Sequence, residues 1–370
     1  MRKKNVRLIG MAFTAIVTIA VILTATGCKK APPDKPVLKI GLIVQDAVRP
    51  ALVVAAEKLG YYEEEGVDIE FVSIDSVNSG LAAVETRKID IFPFSASAIS
   101  SLAKGSNHVF VGGVAVEGTS LVASPENRNT NFRDLSQWKG KKIGGNPTNI
   151  VTFQLLQLFK QRPDFDPEGF EFVEIDDNNI VLEAIKKGTV DAGFLTTERV
   201  WLAEEAGCAE AFDLAEFLPY YICCRLTANI KGVEENRAPY VAVLRALLRA
   251  EHDYAEIPDK IVDAVTAFTE QKREYVVRYI ATEKDHKSGG LVNFKNPVSP
   301  DPLFNKLEAL NNANIAAGNY VWTAPFTLKD RVDLTIYQDA IAELLERYPE
   351  DETYKRAFAL FKENNSNYGL

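Results

Sequence analysis

An apolar run from Leu8 to Leu23 is set off by basic residues in front (Arg2, Lys3, Lys4, Arg7) and by Ala25-Thr26-Gly27-Cys28 behind. That order of charge, hydrocarbon and small residues predicts a secretory signal over residues 1–27, cleaved just before Cys28. The run approaches the length of a membrane span, roughly 17 to 25 residues. The small residues abutting Cys28 favour cleavage. Beyond it, Ala-Pro-Pro-Asp-Lys-Pro at 31–36 predicts a short polar tether over residues 28–36.

The pattern then changes to buried strands alternating with amphipathic helices. Val37 to Val44 is an almost continuous β-branched run, the pattern of a strand covered on both faces. Pro50 opens a helix from Ala51 to Leu59 that Gly60 ends. A second strand is predicted over Val67 to Ile74, a helix around Gly80 to Arg87, a third strand over Ile89 to Phe94, and a helix to about Lys104. The grammar restarts with strands at Lys142 to Gly145, Phe170 to Ile175 and Val190 to Leu195. They are separated by helices opening at Pro147-Thr148-Asn149, at Ile180 and at Thr196-Thr197-Glu198. Such alternation predicts an α/β fold whose mostly parallel sheets carry helices on both faces.

After Tyr221 to Leu226, a further strand, the chain reads as helices: Ala238 to Ala255, Lys260 to Phe268, Lys272 to Ala281 and Leu334 to Arg347. Each has one apolar face that must be buried against something. The economical solution folds this portion back onto the first unit. The expected organisation is therefore a first lobe from residues 37–123 and 223–370, and a second lobe from residues 124–222. The crossings are expected near Leu121 to Ser124 and Ile222 to Leu226.

Composition narrows the function. The apolar fraction of 46% and charged fraction of 25% are those of a globular chain. The 51 Asp and Glu outnumber the 42 Lys and Arg, and the leader holds cations but no acid, so the body is strongly acidic. Without a basic patch beyond Lys139-Gly140-Lys141-Lys142, nucleic-acid partners are not expected. The four Cys are too few and too irregular for a disulfide scaffold or a zinc site, although Cys208 has the vicinal pair Cys223-Cys224 as a possible partner. The three His (His108, His252, His286) stand in no recognisable catalytic setting, and no phosphate loop follows a strand. No metal, cofactor or catalytic residue is expected.

In open α/β sheets a ligand crevice lies beyond the carboxyl ends of the strands, where helix N-termini present free N–H groups. Those ends are Gln45, Asp46 and Arg49 after the first strand and Ser95, Ala96 and Ser97 after the third. In the second unit they are Thr148, Asn149 and Thr152, then Thr196, Thr197 and Glu198. Each Ser, Thr or Asn there also suits an ordinary N-cap. Arg49 suits either paired bonds to an anion or an ion pair. Tyr220 and Tyr221, at the second crossing, are placed to stack on a flat heterocycle or to pack a hinge. The acids Asp46, Glu117 and Glu198 favour a ligand carrying N–H donors over a bare oxyanion.

Several phrases carry a resemblance. They are Ala56-Glu57-Lys58-Leu59-Gly60-Tyr61-Tyr62-Glu63-Glu64-Glu65-Gly66-Val67-Asp68-Ile69, then Ile89-Asp90-Ile91, then Asp134-Leu135 through Trp138-Lys139-Gly140-Lys141-Lys142-Ile143-Gly144, then Ala184-Ile185-Lys186-Lys187-Gly188-Thr189-Val190-Asp191-Ala192. In this order the chain resembles the substrate-binding proteins of bacterial ABC importers for sulfonates, nitrate and thiamine-pyrimidine precursors. The resemblance implies a two-lobed periplasmic-binding-protein type 2 fold. It further implies a monomer that captures a small polar or heterocyclic metabolite and delivers it to a membrane permease. Ala-Thr-Gly-Cys resembles a bacterial lipobox, with Ala25 in place of the usual Leu, which implies acylation of Cys28 and an extracytoplasmic, membrane-tethered body. An extracytoplasmic sensor is the alternative of another class. The same fold family also includes pyrimidine-synthesising and menaquinone-pathway enzymes, and Cys223-Cys224 resembles part of a cysteine cluster of the former.

Overall fold

The computed structural model describes residues 35–94, 96–116, 118–146, 149–218, 221–280 and 298–369, with the side chain of Thr197 also excepted. The predicted leader, the tether up to Asp34 and Cys28 lie outside the described residues. Among the described residues, no helix is long and apolar enough to cross a membrane.

The first unit runs Val37–Leu42 (β1), Ala51–Lys58 (α1), Tyr61–Glu64 (α2), Asp68–Ser73 (β2), Val77–Glu85 (α3), Ile91–Phe92 (β3), Ala98–Leu102 (α4) and His108–Ala115 (β4). The second runs Thr119–Ala123 (β5), Lys142–Gly145 (β6), Ile150–Phe159 (α5), Glu171–Glu174 (β7), Asn178–Lys186 (α6), Ala192–Thr196 (β8), Thr197–Glu205 (α7) and Ala209–Asp213 (β9). Cys224–Asn229 (β10) returns to the first sheet. Helices Ile230–Glu235 (α8), Ala238–Glu256 (α9), Pro258–Thr269 (α10) and Arg273–Tyr279 (α11) follow, and then helices at Phe304–Ala316, Leu334–Arg347 and Glu352–Asn364.

The described strands form two five-stranded sheets, ordered β2-β1-β3-β10-β4 and β7-β6-β8-β5-β9. In each, three neighbouring strands pair with one another in parallel, and the strand that has crossed from the other unit is inserted antiparallel at the fourth place. The sheets are thus mixed rather than purely parallel. The first crossing lies between Ala115 and Thr119, earlier than expected. Residues 119–123 belong to the second sheet because β5 is fully buried and pairs on both edges, with β8 and β9. The return falls between Asp213 and Cys224.

The two units are held by the same local devices. The Asp90 carboxylate accepts from the Lys39 amide at 2.7 Å, while the Asp90 amide donates to the Lys39 carbonyl at 2.8 Å. Asp191 repeats this with Lys142, at 2.8 Å in both directions. Each Asp locks the chain entering the third strand to the start of the first, so the "Ile-Asp-Ile" and "Val-Asp-Ala" phrases serve the fold. Gly60 turns from α1 into α2 at φ +75°, a left-handed conformation that favours glycine. Trp138, fully buried, packs edge-on against Phe132, Phe159, Phe165 and Phe170 at centroid distances of 5.4 to 6.3 Å, and its indole N–H donates to the Phe132 carbonyl.

Gly112-Gly113 has a packing reason. Residues 298–302 run against β4, where the Gly113 amide donates to the Pro300 carbonyl at 2.7 Å. A Cβ on Gly113 would lie 2.2 Å from the Asp301 carbonyl oxygen and 2.4 Å from that of Ser299. The fully buried Arg225 clamps the same segment, donating to the carbonyls of Asp301 (2.7 Å) and Ala115 (2.9 Å). Cys208 is buried in the core of the second unit and, like Cys223 and Cys224, forms no disulfide.

Candidate functional site

Between the sheets lies a cavity of about 440 Å³, in the range of small-molecule sites. Its walls are the loops beyond the carboxyl ends of all six parallel strands. From the first unit come Gln45, Asp46 and Arg49 after β1, Asp75 and Ser76 after β2, and Ala96 and Ser97 after β3. From the second come Asn146 and Asn149 after β6, Asp176 to Asn179 after β7, and Thr196 and Arg199 after β8. The crossings supply Thr119 and Tyr221, whose hydroxyls are 2.6 Å apart, and Cys223.

The sequence-predicted residues Gln45, Asp46, Arg49, Ala96, Ser97, Asn149 and Thr196 are brought together here. Thr152 and Glu198 do not line the cavity; each is 1% exposed, Thr152 inside α5 and Glu198 beneath the wall. Ser95, Glu117, Thr148 and Tyr220 lie outside the described residues, as does the Thr197 side chain. Sequence reasoning missed Asp75, Ser76 and the run Asp176-Asp177-Asn178-Asn179. Applying the carboxyl-end rule to the second strand of each unit would have found them.

Helix starts face the cavity, but their amides are largely occupied. Ser76 accepts from the Ser79 amide, Asn149 from the amides of Val151 and Thr152, and Asp177 from those of Asn179 and Ile180. The N-cap reading of Asn149 is therefore correct, and these termini offer an anion fewer donors than bare ends would.

Arg49 is not an open cation. It pairs with Glu198 from the second unit, lies 3.7 Å from Asp46, and sits 5.8 Å from the Phe94 ring centroid. Arg199, which the sequence reading passed over, is the hub. It reaches Asp46 at 2.6 Å, Glu198 at 2.9 Å, Thr196 at 3.2 Å and Asn179 at 3.1 Å. Two charges from each unit thus interlock across the cleft, all nearly buried. Burial and the neighbouring Glu198 push the Asp46 pKa up, against the pull of Arg49 and Arg199. For Glu198 burial acts upward too, but the Arg49 and Arg199 guanidiniums outweigh it and hold the carboxyl below its ordinary range.

Behind this clamp, α11 straps onto α7. The Tyr275 hydroxyl donates to the Glu198 carbonyl, Lys272 pairs with Glu205, and Arg278 pairs with Glu204. Helix α11 therefore supports the cleft from outside. Among the described residues no His lines the cavity: His108 is buried against the Leu81 carbonyl, and His252 is bonded to Asp351. Nor is there, among them, a group of three or more His, Cys, Asp or Glu placed to hold a metal ion.

Two mixed α/β sheets with a polar cavity at their facing strand ends define the two-lobed fold of the periplasmic binding proteins. The chain belongs to the NMT1/THI5-like family, whose model matches residues 49–261. The solved structures it resembles include the zinc-bound ligand-binding component of an ABC-type import system from Staphylococcus aureus. That chain is 16% identical, with a TM-score of 0.64 over 82% of this chain and 99% of that one. Another is the periplasmic aliphatic sulphonate binding protein SsuA of Escherichia coli, at 14% identity and TM-score 0.61 over 82% and 99%. A third is the desulfurization enzyme DSZB, at 12% identity and TM-score 0.58 over 83% and 99%. At these identities the likeness is one of fold. No curated protein sequence matches the chain.

Proposed function

We propose that this protein is an extracytoplasmic solute-binding protein, the receptor of an ABC importer, tethered to the membrane by acyl chains on Cys28. It acts as a monomer, closing its lobes on one small ligand and presenting the closed form to a membrane permease. The observation that carries this reading is the cavity, to which each lobe contributes the carboxyl ends of its three neighbouring parallel-paired strands. A binding protein is further supported by a lining in which, beside Cys223, two paired arginines and a few apolar residues, the polar groups are amides, hydroxyls and carboxylates suited to holding a small polar molecule.

The lining also selects a ligand class. Among the described lining residues the four carboxylates Asp46, Asp75, Asp176 and Asp177 outnumber the two cations, Arg49 and Arg199, and both arginines are already paired. An oxyanion entering this site would meet an excess of carboxylates over cations and capped helix ends. A neutral or cationic polar molecule with N–H donors, such as an aminopyrimidine, finds acceptors on several sides. Its hydrogen bonds gain strength as the lobes exclude water.

A thermal-shift screen tests both parts. A ligand at 100 times its dissociation constant adds about 2.7 kcal/mol. Aminopyrimidines and related heterocycles are expected to raise the melting temperature, while nitrate and alkanesulfonates leave it unchanged. A response to oxyanions alone would overturn the ligand class, and product formation without any shift would overturn the receptor.

A further inference from the structure

Cys223 and Cys224 sit where the chain re-enters the first sheet. Cys223, half-buried, lines the cavity, its carbonyl accepting from the Ala96 amide at 2.6 Å. Cys224 is buried and opens β10 opposite Ala115, with a register irregularity immediately after it. In a regular strand successive side chains point to opposite faces, which keeps adjacent thiols apart. Here the two sulfurs are turned toward each other, with Sγ···Sγ at 3.2 Å. The crossing has folded the pair into contact on the ligand side of the sheet.

We propose that Cys223-Cys224 is a redox-active vicinal dithiol, a site of reversible modification in the cavity wall. The co-reactant is a disulfide, either a small molecule or an oxidised thiol–disulfide oxidoreductase. The sulfur of Cys223, the residue of the pair that lines the cavity, attacks one sulfur of that disulfide. This forms a mixed disulfide and expels the first thiol. The Cys224 sulfur then attacks Cys223 and expels the second. Two protein S–H bonds and one S–S bond are exchanged for one protein S–S bond and two thiols of the oxidant, so protons and electrons balance.

Adjacent Cα atoms are only ~3.8 Å apart, shorter than the ~4.4–6.8 Å over which disulfides usually form. The ring is therefore strained and is reopened by thiol reductants, as labile rather than structural disulfides are. The hydrogen bond with Cys224 and burial push the Cys223 thiol pKa up, so Cys223 is held as the thiol and its attack quickens in alkaline solution. Closure replaces two S–H groups in the wall with an apolar bridge beside Arg49 and Tyr221. It also stiffens the return crossing.

The full chain, reduced and then incubated with oxidised glutathione, is read by intact mass and by alkylation before peptide mapping. The expected result is a loss of two hydrogens, with both Cys223 and Cys224 protected from alkylation within one peptide. Dithiothreitol should reverse it, Cys208→Ser should retain it and Cys223→Ser should abolish it. The proposal is overturned by a glutathione adduct that persists on Cys223 while Cys224 stays alkylatable. It is equally overturned by a bridge to Cys208, or by a wild-type chain that keeps all its thiols.

Discussion

At the scale of single residues, the charges carry most of what is unusual. Glu251, on α9, has its carboxyl pKa pushed up to about 8, first by burial and also by the nearby Asp301, against a hydrogen bond from Ser299. Unfolded, a Glu titrates near ~4.3. The stability that the neutral carboxyl contributes is therefore fully present below about pH 4.3 and is lost as pH rises toward 8. Glu251→Gln, fixed in the neutral form, should be more stable than wild type by a margin that widens from about pH 5 to pH 8. Urea unfolding across that range measures it, and a constant difference would refute the assignment. Asp90 and Asp191 could be read from sequence as backbone-binding residues because their partners lie in the strand to which the turn must return. Arg199 could not, since its partner Asp46 is far away in the chain and meets it only through the meeting of the two lobes.

At the scale of elements, apolar periodicity placed the six parallel strands and the helices between them to within a few residues. It passed over β4, β5 and β9. Of these, β4 is interrupted by Gly112-Gly113, which in isolation reads as a turn rather than as the middle of a buried strand. The glycines are there because residues 298–302 lie against the strand, a neighbour distant in sequence. Gly113→Ala would push a methyl into two backbone carbonyls that cannot move aside as a flexible side chain would. The expected cost is about 1–3 kcal/mol, seen as a lower denaturation midpoint with β10 and residues 298–303 exchanging amide hydrogens faster. An unchanged midpoint would mean that the segment is free to shift.

At the scale of the whole molecule, the lobes are joined by more than their crossings. The interlocked charges and the contact of α11 with α7 tie the second unit to the first, and on the proposed function they would favour closure before a ligand enters. Glu198→Gln removes one charge from beneath Arg49 and Arg199. Breaking a buried ion pair on one side costs about 3–5 kcal/mol, and here part of that cost falls on closure. The variant should show a larger radius of gyration by solution scattering when ligand-free, together with a lower melting temperature. Were the radius unchanged, the clamp would be a stability device with no part in closure.

The sequence by itself determined what is local and periodic: the alternating strands and helices, the turn glycines, the Asp residues that tie strand entries, and the loops from which a crevice is built. These depend on neighbours a few residues away, and residue type and spacing encode them directly. The tertiary structure decided which of those loops meet, that Arg49 is spent on Glu198, that Arg199 joins it, and that two adjacent thiols touch at the cavity wall. The charge contacts depend on distances between segments more than a hundred residues apart, and the neighbouring thiols on how the returning chain enters the first sheet. Only the packing of two sheets and the return of the chain between them sets such distances.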